Sequence, residues 1–387
     1  MSDDARLRPP LVGREEQLEK MMAKLAYAMA GQGATVLITG EAGAGKTRLA
    51  QDFESLASKT RCVCTSVHCQ LEEGPYAPFQ EVIAQLARSD SSLPSLPAYQ
   101  EFCPGVARPR EGRAELKEDR ALFAALELLR HASRGDTLVL RLDDLHLADA
   151  RTIQMLHFLS RGLVDQRALV IGTYSDDELF DREERAHPLI ETVRIMKREG
   201  LCEEIPLLPL TEKEMEEALS DLLEADIDLE VLDILFRESG GNPQIAVELT
   251  LGALRGKALT KRGDRMVLTS KGSMDIPPPL RDWVARKLAQ LPPEHLSVLE
   301  CAALCGDRFD AELVAKVIGR PKLETLELLD AAVRQYRLYV EGREGYQFRW
   351  GVVRRVAIEE MEPGKAKRLK EGIGKQLFAN KTLPGGG

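Results

Sequence analysis

The feature that most constrains this chain is a glycine-rich segment, Gly40-Glu41-Ala42-Gly43-Ala44-Gly45-Lys46-Thr47. The segment has the spacing GxxxxGK[ST]; an apolar run (residues 35–39) precedes it, and apolar residues at helical spacing follow it. Glycines let the backbone wrap closely around phosphate oxygens, with several N–H groups pointing inward. The positive end of the following helix adds to the attraction for an anion. The sequence therefore predicts a phosphate-binding loop between a strand and a helix.

Two side chains of this loop have predicted chemical roles. Lys46 supplies a mobile cation to the β- and γ-phosphates of a bound nucleoside triphosphate, and the hydroxyl of Thr47 ligates Mg²⁺. We expect the whole loop from Gly40 to Thr47, with Arg48 directly after it, to contact ATP or ADP.

A second apolar run ends in two acidic residues and is predicted to complete the site. The run is Leu138-Val139-Leu140-Arg141-Leu142-Asp143-Asp144. We expect Asp143 to hold the magnesium ion through water, and Asp144 to orient or deprotonate the attacking water. The alternative is that the two aspartates merely begin a loop. Arg141 is unusual in a buried strand, and we expect it to extend toward the edge of the sheet.

The chain alternates short apolar runs with helical patterns up to about residue 210. Beyond the first run, the strand candidates are Cys62 to Val67, Leu138 to Leu142, Ala168 to Tyr174 and Glu204 to Leu207. This alternation is typical of a parallel α/β sheet with helices on its faces. With the phosphate loop, it predicts the core of a P-loop nucleoside triphosphatase.

The pattern changes twice after the predicted sheet. Thr211-Glu212-Lys213-Glu214 has the form of a capping box and opens a helical stretch. Ile276-Pro277-Pro278-Pro279-Leu280 cannot continue a helix, and the helical patterns beyond it lead to a predicted hairpin over residues 338–348. Helices followed by a hairpin indicate a winged-helix module. We predict a P-loop domain over residues 1–210, an all-α lid over 211–275, a winged-helix-like domain over 276–362, and a C-terminal helix with a flexible tail over 363–387.

Composition disfavours several other classes of protein. No apolar run approaches the roughly 20 residues that span a bilayer, and the start Met1-Ser2-Asp3-Asp4 lacks the pattern of a secretory signal. The seven cysteines show no disulfide or metal framework, which fits a reducing cytoplasm. A formal net charge of −9 disfavours a protein held on nucleic acid by its overall charge. We expect a cytoplasmic protein without a membrane partner.

Several segments in order along the chain resemble the STAND signal-transduction ATPases, whose AAA-type module occurs in large LuxR-type ATP-binding regulators. Apart from the phosphate loop, these segments are Leu11 to Glu15, Glu73 to Phe79, Asp143 to Asp149, Gly172 to Leu179, Ser239 to Pro243 and Tyr346 to Arg349. The resemblance implies a P-loop core, a helical lid and a winged helix. It further implies that Gly13 and Arg14 lie over the adenine side, and that the turn containing Asn242 and Pro243 lies near the base and ribose. An ordinary helix-entry turn is the alternative for Asn242-Pro243.

The chain departs from the family pattern at two positions. The family usually has an arginine where this chain has Ser175, and a histidine where this chain has Trp350. The resemblance therefore implies nucleotide binding, with slow hydrolysis and without the usual ADP latch. We expect His146, directly after the acidic pair, to serve in a polar network.

Three functions stay open on the sequence. The first is an ATP-dependent switch in which binding and slow hydrolysis set the domain arrangement or self-association. The second is a DNA-handling ATPase resembling the origin-recognition initiators, which the acidic balance and Glu324, Glu327 and Asp330 in the helix before the hairpin disfavour. The third is a non-hydrolysing scaffold that keeps nucleotide as a structural ligand, which Asp144 disfavours.

Overall fold

A computed structural model describes residues 11–71, 74–103, 118–181, 183–269, 274–342 and 345–381. The chain divides into two compact units. The core unit contains Gly13–Leu179 and Ala186–Leu208. Among the described residues, the second unit contains Leu11 and Val12, those of the segment Phe180–Arg185, and those from Pro209 onward. Residues 1–10, the first residue of the family-like segment Glu73 to Phe79, the turn of the predicted hairpin (residues 343–344) and the C-terminal tail beyond residue 381 lie outside the described residues.

The core unit alternates strands and helices, as the apolar runs predict. Its elements in chain order are α1 (Glu15–Met29), β1 (Ala34–Gly40), α2 (Lys46–Ala57), β2 (Cys62–His68), α3 (Ala77–Ser89), α4 (Pro97–Phe102), α5 (Glu118–Ala132), β3 (Thr137–Asp143), α6 (Ala150–Gly162), β4 (Ala168–Ser175), α7 (Leu189–Arg198) and β5 (Cys202–Leu207).

The five strands form one parallel sheet in the order β2-β3-β4-β1-β5. Every residue of β3 and β4 is buried, because these strands have neighbours on both edges and helices on the faces. The register aligns Gly40 with Ser175 and His68 with Asp143. The carboxyl ends of β1, β2, β3 and β4 therefore meet along one edge of the sheet. The predicted α/β class with a P-loop sheet is confirmed.

The second unit is mainly helical. Its elements in chain order are α8 (Glu212–Leu223), β6 (Asp226–Ile227), α9 (Leu229–Ser239), α10 (Pro243–Arg255), β7 (Leu259–Arg262), β8 (Arg265–Leu268), α11 (Pro278–Ala289), α12 (Pro293–Cys305), β9 (Arg308–Phe309), α13 (Ala311–Ile318), α14 (Lys322–Arg334), β10 (Tyr339–Gly342), β11 (Gly345–Phe348), α15 (Gly351–Glu359) and α16 (Pro363–Lys381).

Two local predictions for this unit are confirmed. Thr211 and Glu214 form the reciprocal capping box at the start of α8. The strands β10 and β11 form the antiparallel hairpin, and β9 pairs with β11 to complete a three-stranded sheet. Aromatic side chains fill the space beneath it, with the Phe309 ring 5.1 Å from Tyr339 and 5.7 Å from Phe348 between centroids.

The stretch predicted to be all-helical also holds a small sheet in the order β6-β8-β7. Its strands are too short for a hydrophobic alternation to stand out, and most residues of β7 are not buried. Gly263, at a φ of +63°, allows the tight connection between β7 and β8.

Trp283 and Trp350, the two tryptophans of the chain, both lie in the second unit. Trp350 is fully buried and its ring lies 5.7 Å from that of Trp283. Among the described residues no helix has the length and hydropathy needed to cross a membrane.

Candidate nucleotide site

The glycine-rich loop connects β1 to α2 as predicted. Gly43 and Gly45 have φ values of +83° and +95°, which side chains with a Cβ rarely adopt. A Cβ on Gly40 would lie 2.7 Å from the carbonyl oxygen of Leu207. The loop therefore needs glycine both for its turn and for its close approach to β5.

Lys46 lies in the first turn of α2 and points back over the loop. Its Nζ donates to the carbonyl oxygens of Gly40 (2.9 Å) and Glu41 (2.8 Å), and to the hydroxyl of Ser175 (3.0 Å). The residue is buried, and this desolvation lowers the pKa of its ammonium group, although Asp177 and Glu178 oppose the shift. The three acceptors fix the ammonium group beside the loop.

Thr47 and Arg48 follow in the same helix. Thr47 is half-buried in the first turn, and its role as a magnesium ligand stays a prediction. The Nε of Arg48 donates to Asp52 one turn further along, at 2.9 Å, and both side chains are about a third exposed. Arg48 thus has an ion-pair partner on its own helix, and its predicted contact with nucleotide stays a prediction.

Asp143 ends β3 and is fully buried. Its carboxylate accepts from the guanidinium of Arg141, whose Nε donates at 2.9 Å to Glu54 on α2. Burial raises the pKa of Asp143, and the positive charge of Arg141 opposes that shift. The expectation that Arg141 extends to the sheet edge is wrong, because β3 is an inner strand and Arg141 stays buried between two carboxylates.

Thr173 links the two predicted acidic residues. Its Oγ1 donates to Asp143 at 3.2 Å and accepts from the backbone N–H of Asp144 at 3.0 Å. Asp144 adopts a left-handed conformation (φ 59°, ψ 47°) and leaves 36% of its side chain exposed. One hydroxyl group therefore contacts the buried Asp143 carboxylate and the Asp144 backbone, and the two carboxylates lie in different environments.

His68 lies beside the acidic pair, and it was not among the predicted site residues. Its Nδ1 lies 3.6 Å from an oxygen of Asp143 and 3.9 Å from an oxygen of Asp144, and the side chain is 54% exposed. The signal available in the sequence was its position at the end of the apolar run 62–67. The sheet order, which sets β2 beside β3, could not be known beforehand.

His146 forms the predicted polar network. Its Nδ1 accepts from the backbone N–H of Ser175 at 3.2 Å, and its Nε2 lies 2.8 Å from Glu178. The histidine thereby holds the end of β4 and the turn Asp176–Glu178, which follows it.

Asp177, in that turn, reaches the phosphate loop. Its Oδ1 accepts a hydrogen bond from the backbone N–H of Ala42 at 3.0 Å, and the residue is 5% exposed. No motif marks this contact in the sequence, because it joins positions 135 residues apart.

Two pairs of residues are expected near the base of the nucleotide, Gly13 with Arg14 and Asn242 with Pro243. Gly13 has a φ of +68°, and Arg14, which is buried, donates from Nη2 to the carbonyl oxygen of Leu208 at 2.6 Å. Asn242 belongs to the second unit and caps α10, where its side chain accepts from the N–H groups of Gln244 and Ile245. Pro243 is the first residue of that helix. The helix-entry role is thus present, and contact with a base stays a prediction.

The donor set suits a magnesium nucleotide. Within the described ranges no group of three or more His, Cys, Asp or Glu side chains could hold a metal by itself. Mg²⁺ in phosphate sites usually takes one or two protein oxygens and completes its shell with phosphates and water. The Thr47 hydroxyl and the Asp143 carboxylate fit that requirement.

A parallel sheet in the order 2-3-4-1-5, a phosphate loop after β1 and an acidic pair after β3 define a P-loop ATPase module. Residues 10–171 match the family described as AAA ATPase domain. This segment is an AAA-type ATPase domain, which confirms the predicted recognition at that level.

Three solved structures illustrate what the chain is similar to. A STAND protein with a tetratricopeptide repeat sensor from Pyrococcus horikoshii is 17% identical over 97% of this chain and 47% of its own, with a TM-score of 0.38. The ORC1 protein of Aeropyrum pernix in complex with DNA is 16% identical over 97% and 96%, with a TM-score of 0.46. The RuvB Holliday junction branch migration motor of Thermotoga maritima is 17% identical over 87% and 92%, with a TM-score of 0.38. This chain spans about half the length of the Pyrococcus protein. No curated protein sequence matched significantly.

Proposed function

We propose that this chain is an ATP-binding, slowly hydrolysing switch of the STAND type, in which the nucleotide state sets the arrangement or self-association of its units. The observation that carries this proposal is the path of the chain after β4. The turn Asp176–Glu178, which bonds to the phosphate loop, is followed by Phe180–Arg185, a segment of the second unit.

This segment is anchored within the second unit. Phe180 packs against that unit's hydrophobic core, and Glu184 lies 3.3 Å from Nε2 of the buried His295. The chain re-enters the core unit at Ala186, where the N–H of His187 donates to the carbonyl of Leu179 at 2.8 Å. Two residues separate Asp177 from Phe180, so a movement of the turn is transmitted along a very short stretch of backbone.

Each residue of the site has a specific proposed task. The loop amides and Lys46 bind the phosphates, while Thr47 and Asp143 hold Mg²⁺, which supplies charge neutralisation for phosphoryl transfer when bound. The exposed carboxylate of Asp144 orients or deprotonates water, while Thr173 holds the Asp144 backbone N–H and donates to the buried Asp143 carboxylate. Gly13, Arg14, Asn242 and Pro243 contribute to the adenine and ribose side.

Slow hydrolysis is supported by the residue at the end of β4. Ser175 approaches Lys46 with a neutral hydroxyl. A serine brings no positive charge to the phosphates, whereas an arginine there would stabilise the charge that develops in the transition state. We therefore expect the rate of ATP hydrolysis to lie at the slow end of the range for P-loop ATPases.

We further propose that residues 276–362 form a structural winged-helix domain and that residues 211–275 form a lid. The helix before the hairpin, α14, has the half-exposed carboxylates Glu324 and Asp330. Their ion-pair partners are Arg320 and Arg334, so these arginines are engaged by carboxylates, which disfavours this helix as a reader of DNA.

The test is steady-state ATP hydrolysis with Mg²⁺, combined with size measurement in ADP and in a non-hydrolysable ATP analogue. Slow turnover with a nucleotide-dependent change in size is the expected result. Tight binding without turnover or change in size would instead identify a scaffold. The Lys46→Ala variant is the matched control, since it removes the loop's cation.

A further inference from the structure

The turn after β4 places a negative charge against an anion-binding loop. The Asp177 carboxylate accepts from the Ala42 N–H at 3.0 Å and is 5% exposed. Loop N–H groups are the donors that a P-loop offers to phosphate oxygens. Asp177 therefore uses a donor of the kind that a phosphate oxygen requires.

A residue close to Asp177 in the chain contacts Lys46. Ser175, two residues before Asp177, accepts from the Lys46 Nζ at 3.0 Å. Lys46 is the group that meets the terminal phosphates of a nucleotide. A triphosphate bound here must approach a carboxylate that is flanked by two further acidic residues, Asp176 and Glu178.

We propose that Asp177 is a built-in competitor of the nucleotide's phosphate chain, so that ATP binding must release the turn Asp176–Glu178 from the loop. This inference rests on the proposed nucleotide site and assigns it a regulatory residue. In the nucleotide-free protein the carboxylate satisfies the Ala42 N–H and holds the turn. When phosphates occupy the loop, like-charge repulsion and the loss of that donor release the turn from the loop, while His146 still contacts Glu178.

The competition makes a quantitative prediction for Asp177→Asn and Asp177→Ala. Both variants should bind the non-hydrolysable ATP analogue about tenfold more tightly than the parent, because one charge-assisted hydrogen bond no longer opposes binding. The gain for ADP should be smaller, since ADP has one phosphate fewer to repel. Binding is measured by titration with magnesium absent, so that an effect on the metal does not contribute.

Two controls separate this mechanism from others. Asp176→Asn removes the same charge one residue away and should improve binding less than Asp177→Asn does. Adding Lys46→Ala to each variant should abolish the binding, which shows that the titration reports the phosphate loop.

A second readout is hydrogen exchange of the loop, measured without nucleotide and then with the ATP analogue. Hydrogen exchange over residues 40–47 of the nucleotide-free protein should be faster in Asp177→Ala than in the parent, because the Ala42 N–H loses its hydrogen bond to Asp177. With saturating ATP analogue the two proteins should exchange at equal rates. A correctly folded variant is recognised by unchanged exchange in β3 and β4.

Three results would overturn the proposal: affinity unchanged within about twofold, weaker binding in the Asp177 variants, or an equal gain from Asp176→Asn. If the parent binds no nucleotide while Asp177→Asn does, the competition is supported in its strongest form. If neither protein binds, the nucleotide site itself is refuted, and the competition with it. Loop exchange unaffected by Asp177→Ala would refute the Asp177–Ala42 hydrogen bond, and with it the competition.

Discussion

Arg141 offers the sharpest stability prediction in the core unit. Its side chain is 7% exposed and lies between Asp143, which is fully buried, and Glu54, which is 22% exposed. Replacing it with methionine keeps most of the volume but leaves Asp143 buried without its cation. Removing one partner of a buried ion pair typically costs about 3–5 kcal/mol. We expect Arg141→Met to lower the free energy of unfolding of the core unit by that amount.

The assay must report on the core unit, and tryptophan fluorescence does not, because Trp283 and Trp350 lie in the second unit. Native-state hydrogen exchange of the β3 and β4 amides measures the opening free energy of the sheet directly. The matched control is Arg161→Met: that arginine is 57% exposed, pairs with Glu199, and should cost about 1 kcal/mol or less. A loss for Arg141→Met no larger than for Arg161→Met would refute the account of this ion pair.

Three further predictions concern the site and the second unit. Lys46→Ala should abolish ATP binding, which calorimetric titration measures; an unchanged affinity would show that the loop does not bind the nucleotide. Asp144→Asn should keep that affinity and lose turnover, because the water-orienting carboxylate is gone while Thr173 still holds the backbone; a rate equal to the parent's would exclude Asp144 from the chemistry. Burial lowers the pKa of His295, although Glu184 opposes the shift, so the unfolded state binds more protons below about pH 6.5. Tryptophan-monitored urea unfolding of the second unit should therefore show stability falling as the pH drops from 7.5 to 5.5, and a His295→Gln variant should lose that slope; a slope retained in the variant would assign it to other groups.

Local patterns in the sequence predicted the parts of the fold that depend on local chemistry. The phosphate loop, the strand ending at Asp143 and the capping box at Thr211 each require particular residues within a few positions. The parallel sheet followed from apolar runs separated by helical patterns, because only strands covered on both faces are apolar throughout.

Contacts between distant segments were beyond such reasoning. Asp177 meets Ala42, and His68 meets Asp143, only because the sheet order brings four strand ends to one edge. The prediction for Arg141 was wrong because β3 is an inner strand of the sheet and because one of the two carboxylates beside Arg141, Glu54, comes from α2, 87 residues away. The small sheet after α8 was missed because its strands have two to four residues each.

The central claim is that nucleotide at the phosphate loop changes the segment leading into the second unit. Hydrogen exchange over residues 176–185, compared among the nucleotide-free, ADP-bound and ATP-analogue-bound protein, tests it most directly. We predict faster exchange in the turn Asp176–Glu178 with the ATP analogue, a change in Phe180–Arg185 that accompanies it, and neither effect in Lys46→Ala. Identical exchange in all three states, at nucleotide concentrations that saturate the loop, would contradict the switch.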